Sequence, residues 1–270
     1  MTPRRAIAPA VLLVAGVGLG CLLVIVFGDV LAGRDHRAMN LDLRLAAPLS
    51  QGHLLGTDEL GRDVLARLLT GLRWSVATAV SATAIAFVIG TTFGLVAARR
   101  PSLMGEAMRL LTTFTQAFPP FVLAVTVIAV MGDAGFWSIV LTLGLVTWPV
   151  FSRVVYAEAC SLFQRDYVLA AEMTGMSAIR LFARHVLPGL IPSLSVLVVF
   201  HFADMIVAES ALSFLGIGAP LGAATWGAML SESRGYMLAA PWLTLAPALA
   251  MVTLIVCAHV FGQHLRNANR

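Results

Sequence analysis

Three ionisable side chains lie in or next to one apolar stretch of the sequence and are the first candidates for chemistry. His201 and Asp204 fall inside residues 190–207, and Glu209 follows shortly after. Helical spacing places His201 and Asp204 on one face and turns Glu209 away. Because a charge buried in lipid costs several kcal/mol, such groups are functional candidates by default. They could contact a cationic group of a solute along a translocation pathway. They could equally form hydrogen bonds or ion pairs with a partner chain.

No catalytic arrangement accompanies these residues. All 18 basic residues are arginine, which excludes lysine-dependent chemistry, including a Walker A phosphate loop and Schiff bases. The sequence has no Gly-x-Ser-x-Gly elbow, no His-Glu-x-x-His motif and no paired intramembrane aspartates. Its three cysteines are too scattered for a disulfide framework or a metal site. We therefore expect no catalytic, cofactor-binding or metal-binding residue here. An intramembrane enzyme is disfavoured, as is an ion channel, since no repeated filter sequence is present.

The composition predicts an all-α integral membrane protein. Of 270 residues, 59% are hydrophobic and 12% charged, against about 25% charged in an average soluble domain. A hydrocarbon core of ~30 Å needs about 20 apolar residues per helix. Six stretches meet that need, within a single domain covering 1–270: 8–27, 74–97, 110–131, 136–156, 190–207 and 242–261. Phe118-Pro119-Pro120-Phe121 in the third and Trp148-Pro149 in the fourth are expected to kink their helices.

Arginine placement predicts the orientation. With six spans and a cytoplasmic N-terminus, the cytoplasmic segments hold 11 arginines and four acidic residues, whereas the outer segments hold 7 arginines and 10 acidic residues. The positive-inside rule favours this topology, with both termini cytoplasmic.

Two connecting segments are long enough to have their own structure. On the outer side, 29–73 is expected to contain a short amphipathic helix, capped by Thr57 or Asp58, with Val64 and Leu68 on its apolar face. On the cytoplasmic side, 153–187 predicts a helical hairpin. Its first helix runs to Thr174, with Gly175 suited to its C-terminus. Ser177 can cap a second short helix, and the next span begins at Pro188.

Three motifs, in order along the chain, resemble the permease subunits of the dipeptide, oligopeptide and nickel ATP-binding-cassette (ABC) importers, in particular the C-type subunit. They are Gly56-Thr57-Asp58-Glu59-Leu60-Gly61-Arg62-Asp63, the hairpin from Ala170 to Pro188, and Glu209-Ser210-Ala211-Leu212-Ser213-Phe214-Leu215-Gly216. Trp226-Gly227, Ala240-Pro241-Trp242 and Leu265-Arg266 add to the likeness. The glutamate expected in the hairpin is replaced by Leu169, and the tail after Gly262 lacks the expected acidic and proline residues.

The resemblance implies a type I ABC importer permease fold in the bacterial inner membrane. It implies a heterodimer with a second permease, two cytoplasmic ATPases that bind ATP and Mg²⁺, and an extracytoplasmic substrate-binding protein. The hairpin is similar to the coupling helix of this family, with ATPase-coupling residues expected at Ala170, Ala171, Gly175, Met176, Arg180 and Leu187. Asp58, Arg62 and Asp63 are expected to form an extracytoplasmic gate. The substrate is expected to be a di- or oligopeptide, with nickel or a metal chelate as the alternative.

Overall fold

A computed structural model describes residues 35–99, 103–132, 135–220 and 222–268, so the predicted span 8–27 lies outside the described residues. A cap segment (35–63), with one 3-10 turn at Leu41–Leu43, leads into helix α1 (Val64–Arg99). Then follow α2 (Leu103–Ala117), α3 (Pro120–Met131) and α4 (Phe136–Phe163). The hairpin contains α5 (Asp166–Met173) and α6 (Ala178–Leu181), and a π-helical stretch (Phe182–Val186) joins α6 to α7 (Leu187–Phe214). Helix α8 (Trp226–Ser233), a 3-10 turn (Arg234–Tyr236) and α9 (Trp242–Ala268) complete the described chain.

Within the described residues, four helical segments are long and apolar enough to cross a membrane: α1, α4, Ala178–Phe214 and α9. The pair α2 and α3 adds a fifth if the two are counted as one broken span, because they meet at an angle of 90°. The kink expected from Pro119 and Pro120 is thus a sharp bend, since proline supplies no backbone N–H and blocks the preceding turn. Pro149, by contrast, lies within the continuous helix α4.

Close packing of α1 against α4 forms the centre of the bundle, and small residues make it possible. A Cβ atom at Gly90 would lie 2.4 Å from the carbonyl oxygen of Trp148, and one at Gly94 would lie 2.7 Å from that of Ser152. Small residues allow membrane helices to approach until their backbones nearly touch, which increases van der Waals contact. The two helices run parallel, because successive glycines of α1 meet successively later residues of α4.

The direction of the helices defines two ends of the bundle. Helix α7 is antiparallel to α1, since Glu209 meets Ser75 and His201 meets Thr83. The cap segment, the start of α1 and α8 therefore lie at one end, which we call the cap end. The hairpin follows the last residue of α4 and lies at the opposite, hairpin end. Each end has its own apolar core, one around Trp226 and the other around Phe151.

Candidate functional sites at the two ends of the bundle

A buried network of charged side chains joins the cap segment to α1 and α8. One carboxylate oxygen of Asp58 accepts hydrogen bonds from both Arg62 and Arg67, each at 2.6 Å. Glu232 of α8 pairs with the same two arginines, at 2.7 Å from Arg67 and 3.2 Å from Arg62. Glu59 adds a further contact with Arg62 at 3.1 Å. Two guanidinium groups thus bridge carboxylates from the loop and from α8.

The carboxylates of Asp58, Glu59 and Glu232 lie close enough together to suggest a cation site. However, the arginine side chains already occupy the space between them and supply the positive charge. The geometry is that of ion pairing, and it fixes α8 against the start of α1.

Asp63 determines where α1 begins. One of its carboxylate oxygens accepts the backbone N–H of Ala66 at 2.8 Å, and the other lies 2.6 Å from Nδ1 of His53. The prediction of a separate amphipathic helix capped by Thr57 or Asp58 is wrong, because the helix starts at Val64 and continues to Arg99. Asp58 instead forms ion pairs, and its second oxygen accepts the backbone N–H groups of Leu60 and Arg62, in the turn that follows it.

The expected gate residues Asp58, Arg62 and Asp63 are therefore all buried at the cap end. Sequence reasoning missed their partners His53, Arg67 and Glu232. His53 lies ten residues from Asp63 and could have been paired with it on spacing alone. The contact of Arg67 with Glu232 carries no local signal, since it joins positions far apart in the chain.

Glu209 is completely buried, at 0% exposure, on the side of α7 that faces α1. Its carboxylate accepts hydrogen bonds from the hydroxyl groups of Ser75 at 2.9 Å, Ser213 at 2.8 Å and Ser210 at 3.4 Å. Buried carboxylates need such partners to offset the loss of water. The site connects α7 to α1, and nothing in its geometry presents the carboxylate to a passing solute.

His201 and Asp204 lie in different environments despite their helical spacing. His201 is buried, with Nδ1 3.1 Å from the hydroxyl oxygen of Thr83 and its ring 4.9 Å from that of Phe151. Asp204 is exposed on the surface of α7. The structure does not bring the two side chains into one site.

Trp226 and Gly227 hold α8 against two long helices, α1 and α7. The indole N–H of Trp226 donates to the carbonyl oxygen of Leu68 at 3.0 Å, and the ring packs where Gly71 has no side chain. A Cβ atom at Gly227 would lie 2.1 Å from the backbone oxygen of Ser210. Helix α8 therefore depends on a glycine at this contact.

Replacing Gly227 by alanine is expected to destabilise the protein by about 1–3 kcal/mol, because the added methyl group meets backbone that cannot rotate away. The measurement is the melting temperature of the purified protein. Gly235→Ala is the matched control, since a Cβ atom there would meet nothing within 4 Å. Equal melting of the two variants would contradict the close contact.

The hairpin at the other end has one buried side and one exposed side. Val168, Leu181 and Val186 are fully or almost fully buried in the apolar core around Phe151. The opposite side presents large apolar side chains, with Met173 88% and Ile179 82% exposed. The hairpin is thus held rigidly from beneath while an apolar tip faces away from the bundle.

The turn of the hairpin follows the sequence prediction. Gly175 has a φ of +75°, in the left-handed region that glycine adopts without strain. Ser177 is the residue before α6. The start of α7 at Leu187 lies one residue from the predicted start at Pro188, but the π-helical stretch before it makes the helical structure continuous from Ala178 to Phe214.

The expected coupling residues divide by position. Ala170, Gly175 and Arg180 are exposed, Met176 and Leu187 are half-buried, and Ala171 is buried. Met173 and Ile179 were not among the candidates, although their spacing from other apolar residues could have indicated a second apolar face.

Comparison with known proteins identifies the family. Residues 90–270 match the family described as binding-protein-dependent transport system inner membrane component. The chain is 30% identical to the dipeptide transport system permease protein DppC of Alkalihalophilus pseudofirmus, over 92% of this chain and 81% of that protein. It is 34% identical to the glutathione transport system permease protein GsiD of Pectobacterium atrosepticum, over 83% and 74%. It is 30% identical to the nickel transport system permease protein NikC of Escherichia coli, over 86% and 83%.

A solved structure shares the fold. An inward-facing structure of the MetNI methionine ABC transporter superposes with a TM-score of 0.63 at 16% sequence identity, covering 76% of this chain and 96% of that one. Helices that can cross a membrane, this shared fold and the sequence matches agree with one another. The chain belongs to the binding-protein-dependent transport system inner membrane components, the permease subunits of ABC importers.

Proposed function

We propose that this chain is one of two permease subunits of an ATP-driven importer of di- or oligopeptides, and that ATPase chains drive it at the hairpin end. The observation that carries the proposal is the apolar tip of the hairpin, formed by Met173 and Ile179. Apolar surface of this kind, supported by a rigid base, is typical of contact with a partner protein. Because the chain has no lysine for a phosphate loop, ATP and Mg²⁺ would be bound by the partner ATPases, and this chain would hold no cofactor.

The proposed orientation places the hairpin and both termini in the cytoplasm of a bacterial cell. The excess of arginine in the segments on that side supports it. The cap end then faces the substrate-binding protein. We propose that the network of Asp58, Arg62 and Asp63 acts there as the rigid rim of an extracytoplasmic gate.

Asp204 supports the presence of a second permease. It is exposed on α7 ten residues before the end of that helix at Phe214, which is about 15 Å along the helix axis. A carboxylate facing lipid at that depth would be strongly unfavourable. A second permease covering this face of α7 and α9 would give Asp204 a polar surrounding and would enclose the translocation pathway. His201 and Glu209 have internal partners, which favour a structural role beside that pathway.

The proposed mechanism is alternating access, in which no bond of the substrate is broken. ATP binding closes the two ATPases, the hairpins move with them, and the two permeases rock so that the cap end opens. A rigid hairpin suits this task, because a flexible one would absorb the movement.

The relatives support peptides as the substrate class, since DppC and GsiD are named for dipeptide and glutathione transport. The relative named for nickel transport supports a nickel or metal-chelate importer as the second candidate. The deciding experiment reconstitutes the permease with its ATPases and binding protein in liposomes. We expect ATP hydrolysis to require the partner chains and dipeptide uptake to require the binding protein. ATP hydrolysis by the isolated chain would overturn the proposal, and nickel uptake without peptide uptake would select the alternative.

A further inference from the structure

Two adjoining cavities lie between α2 and α4 near the hairpin end. Both are open to their surroundings, with about 700 and 1280 Å³ of space between and in front of their walls, and they share the side chains of Ala97, Arg109 and Tyr156. None of the residues singled out from the sequence as a coupling, pathway or gate residue lines either cavity. The cavities therefore need an explanation of their own.

The smaller cavity carries positive charge that no carboxylate neutralises. Arg109 and Arg153 both line it, and neither forms an ion pair with any residue that the structure describes. The guanidinium group of Arg153 donates to the side-chain oxygen of Gln116 at 3.1 Å, and that of Arg109 lies 5.4 Å from the ring centre of Tyr156. Each guanidinium has five N–H donors, so both keep donors for a ligand.

Neutral hydroxyl groups also line the smaller cavity. Thr112 of α2 and Ser152 of α4 are both buried, and their oxygens lie 3.2 Å apart across the helix interface. Among the residues that the structure describes, Glu106 is the only acidic side chain on either cavity wall, and it lines the larger one. The arrangement suits a ligand with a negatively charged, oxygen-rich group.

The depth of the cavities in the membrane indicates which molecule could supply that negatively charged group. Arg153 follows Phe136, the first residue of α4, by 17 residues, which is about 26 Å along the helix. The hydrocarbon core is ~30 Å thick, so Arg153 lies near its boundary, at the level of lipid headgroups. Beside the cavities, α2 exposes Leu110 and Phe114, an apolar surface suited to acyl chains.

We propose that these cavities bind the headgroup of an anionic phospholipid, with Arg109 and Arg153 holding its phosphate and α2 contacting an acyl chain. Basic pockets between membrane helices bind anionic headgroups in this way. The bound lipid would lie beside Arg99 and Phe163, whose side chains contact Phe182 at the base of the hairpin. Lipid binding would therefore stabilise the joint through which the hairpin is held.

The test uses the complete transporter in nanodiscs made of phosphatidylcholine alone or of phosphatidylcholine with cardiolipin. Lipid that remains bound after detergent extraction is measured by mass spectrometry. The double variant Arg109→Gln with Arg153→Gln is expected to retain roughly tenfold less cardiolipin than the wild type. Arg109→Lys with Arg153→Lys keeps both charges and should retain most of it. Arg266→Gln, an exposed residue of α9 that lines neither cavity, should retain as much as the wild type.

Two results would overturn the proposal. The first is equal cardiolipin retention by the glutamine double variant and the wild type. If that variant also bound a dipeptide with a free carboxyl terminus more weakly, the cavities would be assigned to the transported substrate. The second is an equal loss of cardiolipin in Arg266→Gln, which would indicate general charge attraction. The melting temperature in phosphatidylcholine alone shows that each variant is folded, so that lipid loss is measured on intact protein.

Discussion

Asp58→Ala is expected to destabilise the permease by about 3–5 kcal/mol, because removing one partner of a buried ion pair leaves uncompensated charge. Arg67 is 2% exposed, and one of its terminal nitrogens already has no hydrogen-bond partner. Without Asp58, Arg67 would depend on Glu232, which is 30% exposed at its side chain, and Arg62 would keep Glu232 and Glu59. Partial compensation by Glu232 places the expected loss near the lower end of that range.

The measurement is thermal unfolding of the purified chain followed by tryptophan fluorescence. Asp42→Ala is the matched control, since Asp42 is exposed in the same cap segment and its side chain makes no ion pair in the described structure. A second comparison places Asp58→Ala in an Arg67→Met background. There the additional loss should be smaller, because one of the two stranded charges is gone. Equal melting of Asp58→Ala and Asp42→Ala would show that the network contributes little.

The same network marks a limit of sequence reasoning. Three residues near one another, Thr57, Asp58 and Asp63, are all good helix caps by type. The choice of Asp63 depends on the ion pairs of Asp58 with Arg62 and Arg67, and both arginines also pair with Glu232 of α8. Local sequence contains no information about that distant carboxylate, so the start of α1 was placed too early.

The hairpin shows the opposite case. Its turn depends on Gly175 and Ser177, whose preferences are local. Gly175 has the expected left-handed backbone, and Ser177 lies at the N-cap position of α6 although its side chain makes no capping hydrogen bond. The predicted start at Pro188 also agrees to within one residue, since proline is tolerated in the first turn of a helix. The π-helical stretch that joins α6 to α7 has no such local signal. The exposed apolar tip was missed because apolar residues in a membrane protein are expected to be buried or in lipid, and only the fold shows that Met173 and Ile179 face neither the core nor another described helix.

Gly175→Glu is expected to lower uptake by at least about tenfold while the protein still inserts and folds. A Cβ atom at Gly175 would meet nothing within 4 Å, so the substitution causes no clash within the chain. Its cost to folding is about 1–2 kcal/mol for a left-handed backbone in a residue with a side chain. The new carboxylate would lie between the two helices that present the apolar tip, where it would have to be desolvated against the ATPase.

The measurements are binding-protein-dependent uptake and stimulated ATP hydrolysis in the reconstituted transporter, with the amount of inserted permease determined in parallel. Gly132→Glu is the matched control. Gly132 also follows a helix, has a φ of +66° and would place its Cβ atom in open space, but it lies at the cap end. If backbone strain were the cause, both variants would lose uptake to the same degree. If the hairpin transmits the movement, only Gly175→Glu loses it, and stimulation of ATP hydrolysis is lost with it. Normal uptake by Gly175→Glu would show that the hairpin turn does not contact the ATPase, because a charge buried at that interface would impair transport.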